Sequence, residues 1–306
     1  MEELIQLIFT TDFLASVLRM ATPILFVGLA AMVGDKADVL CVAYEGIMLF
    51  AAFGGVVGSA FTHLTIGGLI IGLLAGLVIT GIFAYFVLYL DAKPMLIGLA
   101  LNILASAGTV FALYMLTGSK ANSASLGSLS FPVVNIPVIK DIPVLGGILS
   151  GHNSLTYLVF VCVFLVQILL YRTPLGLRIR TAGESPSAAS SVGINVNKTK
   201  FIAMLISGLL ASMGGVFMSM AYLPYFTRDM VAGRGFIGIA AQSLGGGNPV
   251  ITMIWTMVFG AADALGSMAQ SFRLPSQFAQ MTPYVVTLIG LVLMNVPKKK
   301  KAKTIL

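Results

Sequence analysis

Three ionisable side chains interrupt long apolar stretches of the sequence: Arg19, Glu45 and Asp263. An ionisable group inside a membrane span is costly and marks a functional site by default. Arg19 is close enough to one end of its stretch to extend its guanidinium group to the outer surface, which we favour over pairing inside the bundle. Asp263 is near the middle of its stretch, where structural pairing and a functional role are both open. Glu45 must face a bundle interior or an aqueous vestibule, because contact with lipid would force it to protonate.

Asn102 adds two hydrogen-bond donors and an acceptor to another apolar stretch. It either binds a neighbouring helix or contacts a polar solute, and interhelical hydrogen bonds of this kind contribute only about 0.6–2 kcal/mol. A helix break near Glu45 and Gly46 would offer backbone groups to a solute at mid-membrane, as broken helices do in transporters. Together, these residues are candidates for a polar path through a membrane.

The composition requires lipid as the main solvent. Of 306 residues, 58% are hydrophobic and 9% are charged, and the mean hydropathy is +0.99, whereas soluble domains contain about 25% charged residues. The net charge of +7 depends on lysines in a C-terminal tail at 297–306, which suit a topology anchor beside anionic lipid and not a nucleic-acid interface. We therefore predict an all-α, polytopic membrane protein of about 8–10 spans, forming a single domain over 1–306.

Nine apolar segments are candidate spans, of which the seventh is too short to cross alone. It is either a short, broken helix or the end of a span that begins near Asp229. The segments are Phe13–Val33, Val39–Ala60, Leu64–Leu90, Pro94–Thr117, Leu155–Tyr171, Phe201–Leu223, Gly235–Leu244, Val250–Ala269 and Met281–Val296.

The distribution of lysine and arginine predicts the orientation. With the C-terminus in the cytoplasm, most of these residues lie inside, as the positive-inside rule requires. The segment 118–153 is then an external loop, and 172–200 is the main cytoplasmic loop. The external positions are Lys120, Lys140, Arg228, Arg234 and Arg273.

The sequence offers no constellation for catalysis. Cys41 and Cys162 lie in apolar runs, and neither His63 nor His152 has a carboxylate or thiol at ligand spacing. We therefore expect no metal and no cofactor. There is no nucleotide-binding motif in the sequence, so any ATP hydrolysis belongs to another chain.

The loop 172–200 contains a short helix signal. Ser185 can cap a helix that begins at Pro186, Ala188 and Ala189 favour helix, and Gly193 can end it. A helix of about two turns is marginal alone in water, so its own membrane domain or a partner must hold it. From the residues alone, a solvated loop and a docking helix are both open.

The run GLRIRTAGESPSAASSVGINVNKTKFIAMLISGLLASMGG resembles the signature loop of permease subunits of binding-protein-dependent ABC importers, in the branch that carries nucleosides and simple sugars. The resemblance extends along most of the chain, through the stretches at 21–23, 39–48, 98–102 and 233–237. It implies that the loop is a coupling helix seated on an ATPase subunit. The residues that would form this coupling site are Arg180, Gly183, Glu184, Ser185, Pro186, Ala188, Ala189, Gly193, Ile194 and Asn195.

The same resemblance implies an ATP-driven importer in the bacterial cytoplasmic membrane, with a second, similar permease chain, an external solute-binding lipoprotein and a small polar solute. Nucleosides are the first choice, and simple sugars or riboflavin-like solutes remain open. Cys41 departs from the asparagine usual in the family, and Ala43 from a glycine. The residues placed on the solute path are Cys41, Tyr44, Glu45, Gly46 and Asn102.

An alternative hypothesis is a secondary transporter or channel that works alone. It would use Glu45 and Asp263 for proton or sodium coupling. An inverted repeat with matching broken helices would indicate this class, and the sequence shows no clear one.

Overall fold

The computed structural model describes residues 10–134 and 150–271, together with positions 147, 285, 286, 290 and 292. Helices dominate these residues, and the helix bounds follow in chain order. They are α1 (Thr11–Lys36), α2 (Tyr44–Thr62), α3 (Thr65–Tyr89), α4 (Pro94–Thr117), α5 (Ser154–Arg172), α6 (Pro174–Glu184), α7 (Pro186–Ser191), α8 (Val196–Phe217), α9 (Arg234–Gly245) and α10 (Pro249–Ser271). A π-helical turn, Met218–Tyr222, extends α8.

Within the described residues, seven helices are long and apolar enough to cross a membrane: α1 to α5, α8 and α10. They confirm the predicted all-α polytopic fold. The predicted seventh segment is the short helix α9, whose 12 residues span about 18 Å against a hydrocarbon core of about 30 Å. The predicted ninth span, Met281–Val296, and the tail at 297–306 lie outside the described residues, apart from the isolated positions named above.

The predicted span Val39–Ala60 is wrong at its start, since α2 begins at Tyr44. Residues 37–43, which we call the connector, are not helical. The side chain of Asn102 on α4 explains the break. It binds the carbonyl of Val42 and the amide of Gly46, so these backbone groups need no helical partners before Tyr44.

Helices α1, α2 and α8 form the centre of the bundle, and small residues allow them to approach closely. A Cβ atom at Gly215 on α8 would collide with the carbonyl oxygen of Met48 on α2, and one at Gly72 on α3 would lie 2.8 Å from the carbonyl oxygen of Ala51. Small residues at helix contacts are how membrane helices gain packing energy. These glycines are therefore packing positions between neighbouring helices.

The opposite face of α3 is apolar and exposed. Ile66, Ile70, Leu74 and Val78 recur every four residues, with exposed fractions of 65%, 52%, 55% and 60%. A stripe of this length is unsuited to water and suited to lipid.

The two ends of the bundle differ. At one end, which we call the α7 end, Gly183 of α6 packs against the last residue of α1. The connector meets the start of α8 there, through the ion pair between Asp38 and Lys200 (3.4 Å). At the far end, part of the loop 118–153 contacts residues after α8 through a bridge between Asn122 and Thr227. Strands β1 (Val133–Val134) and β2 (His152–Asn153) form an antiparallel pair there.

Candidate functional site

The predicted coupling segment is two helices, of which the sequence predicted one. Helix α6 lies in the segment that the sequence predicts as a loop, although its start carries local signals: Thr173 accepts a hydrogen bond from the Gly176 amide (3.1 Å), and Pro174 follows the cap. These are recognised N-terminal signals. Gly176 packs so closely on the end of α5 that a Cβ atom would collide with the carbonyl of Leu169.

Helix α7 follows the predicted pattern but is shorter than two turns. Ser185 caps it by accepting a hydrogen bond from the Ala188 amide (3.4 Å), and Pro186 is its first residue. Gly193, beyond its end, has a φ of +81°, the left-handed conformation that favours glycine. Beyond it, Asn195 accepts a hydrogen bond from the Lys198 amide (3.0 Å) and caps α8.

Helix α7 has one face against the protein and one face in solvent. Ala189 is 2% exposed, and the Ile194 amide donates to its carbonyl (3.0 Å). Ala188 lies on the exposed face, and Val192, just after the helix, is 74% exposed. Exposed small and apolar groups without charge suit burial against a partner.

The base of the coupling segment is fixed to the bundle. A Cβ atom at Gly183 would collide with the carbonyl oxygen of Lys36, at the end of α1. The guanidinium carbon of Arg180 lies 5.1 Å from the centre of the Tyr171 ring, a cation–π contact. Tyr171 in turn donates a hydrogen bond to the carbonyl of Gly247 (2.8 Å), between α9 and α10. Glu184 is exposed and lines a cavity of about 190 Å³ beside Lys36.

Glu45 holds the N-terminus of the short helix α9. Its Oε1 accepts a hydrogen bond from the Gly233 amide (2.7 Å), and its Oε2 accepts one from the Gly235 amide (2.9 Å). The first amides of a helix lack partners within the helix and carry partial positive charge, so a carboxylate is the natural acceptor. A Cβ atom at Gly235 would lie 2.6 Å from the Glu45 backbone nitrogen, so only glycine allows this approach.

Asn102 joins α4 to the broken start of α2. Its Oδ1 accepts from the Gly46 amide (2.8 Å), and its Nδ2 donates to the Val42 carbonyl (3.0 Å). Of the two interpretations that the sequence left open, the structure shows the interhelical contact. The structure thus places Glu45, Gly46 and Asn102 at one junction.

The two other predicted path residues lie on the α7 side of this junction. The Tyr44 hydroxyl lies 2.8 Å from Ser207 Oγ and 3.2 Å from the Ala30 carbonyl, and it joins α2 to α8 and α1. Cys41 is a free thiol, 3% exposed. Both residues line a cavity of about 140 Å³ between α1, the connector and α9.

Arg234, which the sequence predicts at an external position, is the first residue of α9. Its Nη2 donates to Asp263 Oδ2 on α10 (2.7 Å), with side-chain exposures of 13% and 20%. The GRGF run was recognised in the sequence, but nothing local connects it to Asp263. Because Asp263 has a guanidinium partner and Glu45 has two amide donors, both carboxylates hold α9, and ion coupling through them gains no support.

This arrangement is that of a polytopic helical membrane protein, with a polar junction inside the bundle and a short helix pair at one end. The model of the family "Branched-chain amino acid transport system / permease component" matches residues 13–296. The chain belongs to that family of transport permease subunits.

Two relatives are similar along most of their length. The nucleoside ABC transporter permease protein NupC of Lactococcus lactis is 32% identical over 292 residues, covering 91% of this chain and 90% of the relative. The guanosine ABC transporter permease protein NupQ of Bacillus subtilis is 31% identical over 282 residues, covering 89% and 88%.

A third relative and a solved structure widen the comparison. The putative glucose ABC transporter permease protein TsgC13 of Haloferax volcanii is 29% identical, covering 87% of this chain and 80% of the relative. The solved structure of PsaBC from Streptococcus pneumoniae in complex with Fab matches 95% of each chain with a TM-score of 0.53 and 17% identity. That likeness shows a shared fold.

Proposed function

We propose that this permease subunit imports nucleosides across the bacterial cytoplasmic membrane, driven by a separate ABC ATPase that binds α7. ATP binding by that partner would move α7, and the bundle would alternate between outward and inward access. This chain would supply the path and no hydrolytic chemistry. The partners would be the ATPase, a second, similar permease chain and an external solute-binding lipoprotein.

The observation that carries this proposal is the exposure of α7 on a fixed base. Ala189 is buried and Ala188 faces outwards, so the helix has a docking face and an anchoring face. Uncharged small side chains allow a partner surface to approach without desolvating a charge. Helix α7 would therefore sit in a cleft of the ATPase, with the α7 end and the C-terminus in the cytoplasm.

Motion at α7 would reach the path through α1. Gly183, one residue before the end of α6, packs directly on the last carbonyl of α1. Six residues before that carbonyl, Ala30 accepts the Ser207 hydroxyl (2.8 Å) beside the Tyr44 hydroxyl. Packed helices transmit displacements because interiors are dense, so a shift of α6 would disturb the contacts that hold the start of α2.

The nucleoside assignment is supported by the two relatives that are named for nucleoside or guanosine transport. Their similarity covers nearly the whole chain. The glucose-named relative keeps simple sugars as the second substrate class, at a slightly lower identity of 29%.

A pair of tryptophan variants tests the ATPase contact. Ala188→Trp places a large side chain on the exposed face of α7 and should abolish both co-purification of the ATPase and ATP-dependent uptake of guanosine. Ser125→Trp, at an exposed position in the turn Ala124–Leu126 at the far end, is the control for insertion and should retain the ATPase. Unchanged co-purification and uptake by Ala188→Trp would contradict the proposal.

A further inference from the structure

The cavity beside Tyr44 opens at the α7 end of the bundle. The last two turns of α1, the connector and the second half of α9 enclose its volume of about 140 Å³. Its mouth carries Asp35, Asp38 and Leu40, all of them exposed. Solvent at the α7 end can therefore reach it.

The other side of the cavity is closed by buried contacts. Tyr44 is 1% exposed, and its hydroxyl lies against Ser207 and the Ala30 carbonyl. Ser207 is itself fully buried. Among the described residues, the open route out of the cavity therefore leads towards the α7 end.

Gln242 lines this cavity and carries a polar group that can bind its contents. The residue is 7% exposed, and in the part of the chain that the structure describes its amide makes no hydrogen bond. The amide is not among the enclosed side-chain atoms without a partner in that part of the chain, so water or a solute in the open cavity can reach it. The neighbouring Ser243 differs, because its hydroxyl donates to the Ile239 carbonyl (3.0 Å) in its own helix. The Gln242 amide is therefore available to a solute that displaces water from the cavity.

The charges at the mouth restrict what can enter. Asp38 is paired with Lys200 (3.4 Å), whereas Asp35 makes no ion pair among the described residues, so the negative charge at the mouth comes mainly from Asp35. Carboxylates accept hydrogen bonds from hydroxyl and amino groups and repel phosphate. A neutral solute meets both conditions if it has hydroxyl groups to donate to the carboxylates at the mouth. It also needs a donor beside an acceptor to bind the Gln242 amide.

We propose that this cavity is a release subsite for a nucleoside, in which the Gln242 amide binds the hydrogen-bonding edge of the base. A primary amide offers a donor beside an acceptor, the pattern that pairs with a base edge. The ribose hydroxyls face the carboxylates at the mouth, and nucleotides are excluded by their phosphate charge. This inference rests on the proposed nucleoside transport and names a residue and a place for it.

Protection of a cysteine at the mouth tests the subsite. Ser243→Cys is made in a Cys162→Ala background that keeps Cys41, because Cys41 lines the cavity and is only 3% exposed. The complex with its partner subunits is placed in nanodiscs and treated with a methanethiosulfonate reagent, and the Cys162→Ala parent gives the background reaction of Cys41. Guanosine should slow modification at position 243, while GMP should not. Ser125→Cys, at the far end, is the matched control and should react at the same rate with and without guanosine.

Variants of Gln242 connect the protection to its amide. Gln242→Leu should raise the guanosine concentration for half-maximal protection about tenfold, the effect expected for one lost hydrogen-bonding group. Gln242→Asn keeps the amide with a shorter reach and should give a smaller increase. A matched gel-filtration profile of each complex shows that the variants are folded.

Three results would overturn the inference. If the complex imports guanosine but guanosine gives no protection at Ser243→Cys, the subsite is wrong and the proposed function stands. If Ser243→Cys reacts in the isolated chain but not in the assembled complex without guanosine, another subunit fills the cavity. If the complex imports no nucleoside, the proposed function fails, and the subsite fails with it.

Discussion

The carboxylate of Glu45 and the backbone amide of Gly235 lie 2.9 Å apart, Oε2 to N, across 190 residues of sequence. With the Gly233 amide on Oε1 (2.7 Å), the contact makes one acidic side chain the cap of a helix in another part of the chain. The position of α9, and with it one wall of the cavity, therefore depends on Glu45.

Replacing Glu45 with glutamine should destabilise the protein. Glutamine keeps one acceptor oxygen but turns an amide donor towards a backbone N–H, so one amide of α9 loses its partner. Leaving a buried donor unpaired costs about 1–3 kcal/mol, and the thermal midpoint in detergent should fall. Glu184→Gln, on the exposed end of α6, should have no measurable effect. Ion coupling would be favoured by a different result. In that case the thermal midpoint is the same for Glu45→Gln and the unmodified protein, and an ion gradient drives uptake by the unmodified protein but not by Glu45→Gln.

Replacing Asn102 with leucine should loosen the start of α2. The Val42 carbonyl and the Gly46 amide would both lose their partner, at a cost of about 1–3 kcal/mol for each group that stays buried. Hydrogen–deuterium exchange should rise at residues 42–46, while the end of α2 near Thr62 keeps its protection. Equal protection of residues 42–46 in both proteins would contradict the bridging role.

Replacing Gly183 with alanine should separate α6 from α1. The new methyl group would collide with the Lys36 carbonyl, so the base of the coupling segment must shift, and ATPase association and uptake should fall. Gly81→Ala is a matched control in α3, because a Cβ atom there meets nothing within 4 Å. That control should be stabilising by about 0.5–1 kcal/mol, from the lower flexibility of alanine in a helix. Normal coupling in Gly183→Ala would show that the contact transmits nothing.

The Arg234–Asp263 pair should behave as a coupled unit. Removing one partner leaves a largely buried charge alone, which costs about 3 kcal/mol, so Arg234→Leu and Asp263→Leu should each lower the free energy of unfolding. The double variant should lose less than the two single variants together. Denaturant titration of the three variants measures this coupling, and strictly additive losses would mean that the two groups do not interact.

The sequence predicted those features that depend on neighbouring residues. Apolar runs located most of the spans, and the Ser185–Pro186 pair located α7, because a helix cap is formed within three residues. The partners of Glu45, Asn102 and Asp263 could not be predicted, because they lie 29 to 190 residues away along the chain. The start of α2 at Tyr44 could not be predicted either, because it depends on Asn102 of α4. The side-chain amide of Asn102 binds backbone groups before and after Tyr44 that would otherwise form the hydrogen bonds of a helical turn.

Gln242 shows the same limit for the candidate site. In the sequence it is one polar residue in the short segment that forms α9. The spacing of the apolar residues around it does not show whether Gln242 is buried or exposed. The packing of α9 against the connector and α1 buries its side chain at the cavity. There its amide makes no hydrogen bond to the described residues.

The most direct test of the account is a site-specific cross-link from α7. A benzophenone attached to Ala188→Cys, in the Cys41→Ala, Cys162→Ala background, should form an adduct with the ATPase in the assembled complex, and its yield should change when ATP is bound. The same label at Ser125→Cys should form no ATPase adduct. Absence of an ATPase adduct at position 188, or equal adducts at both positions, would contradict the assignment of α7 as the contact through which ATP drives this permease.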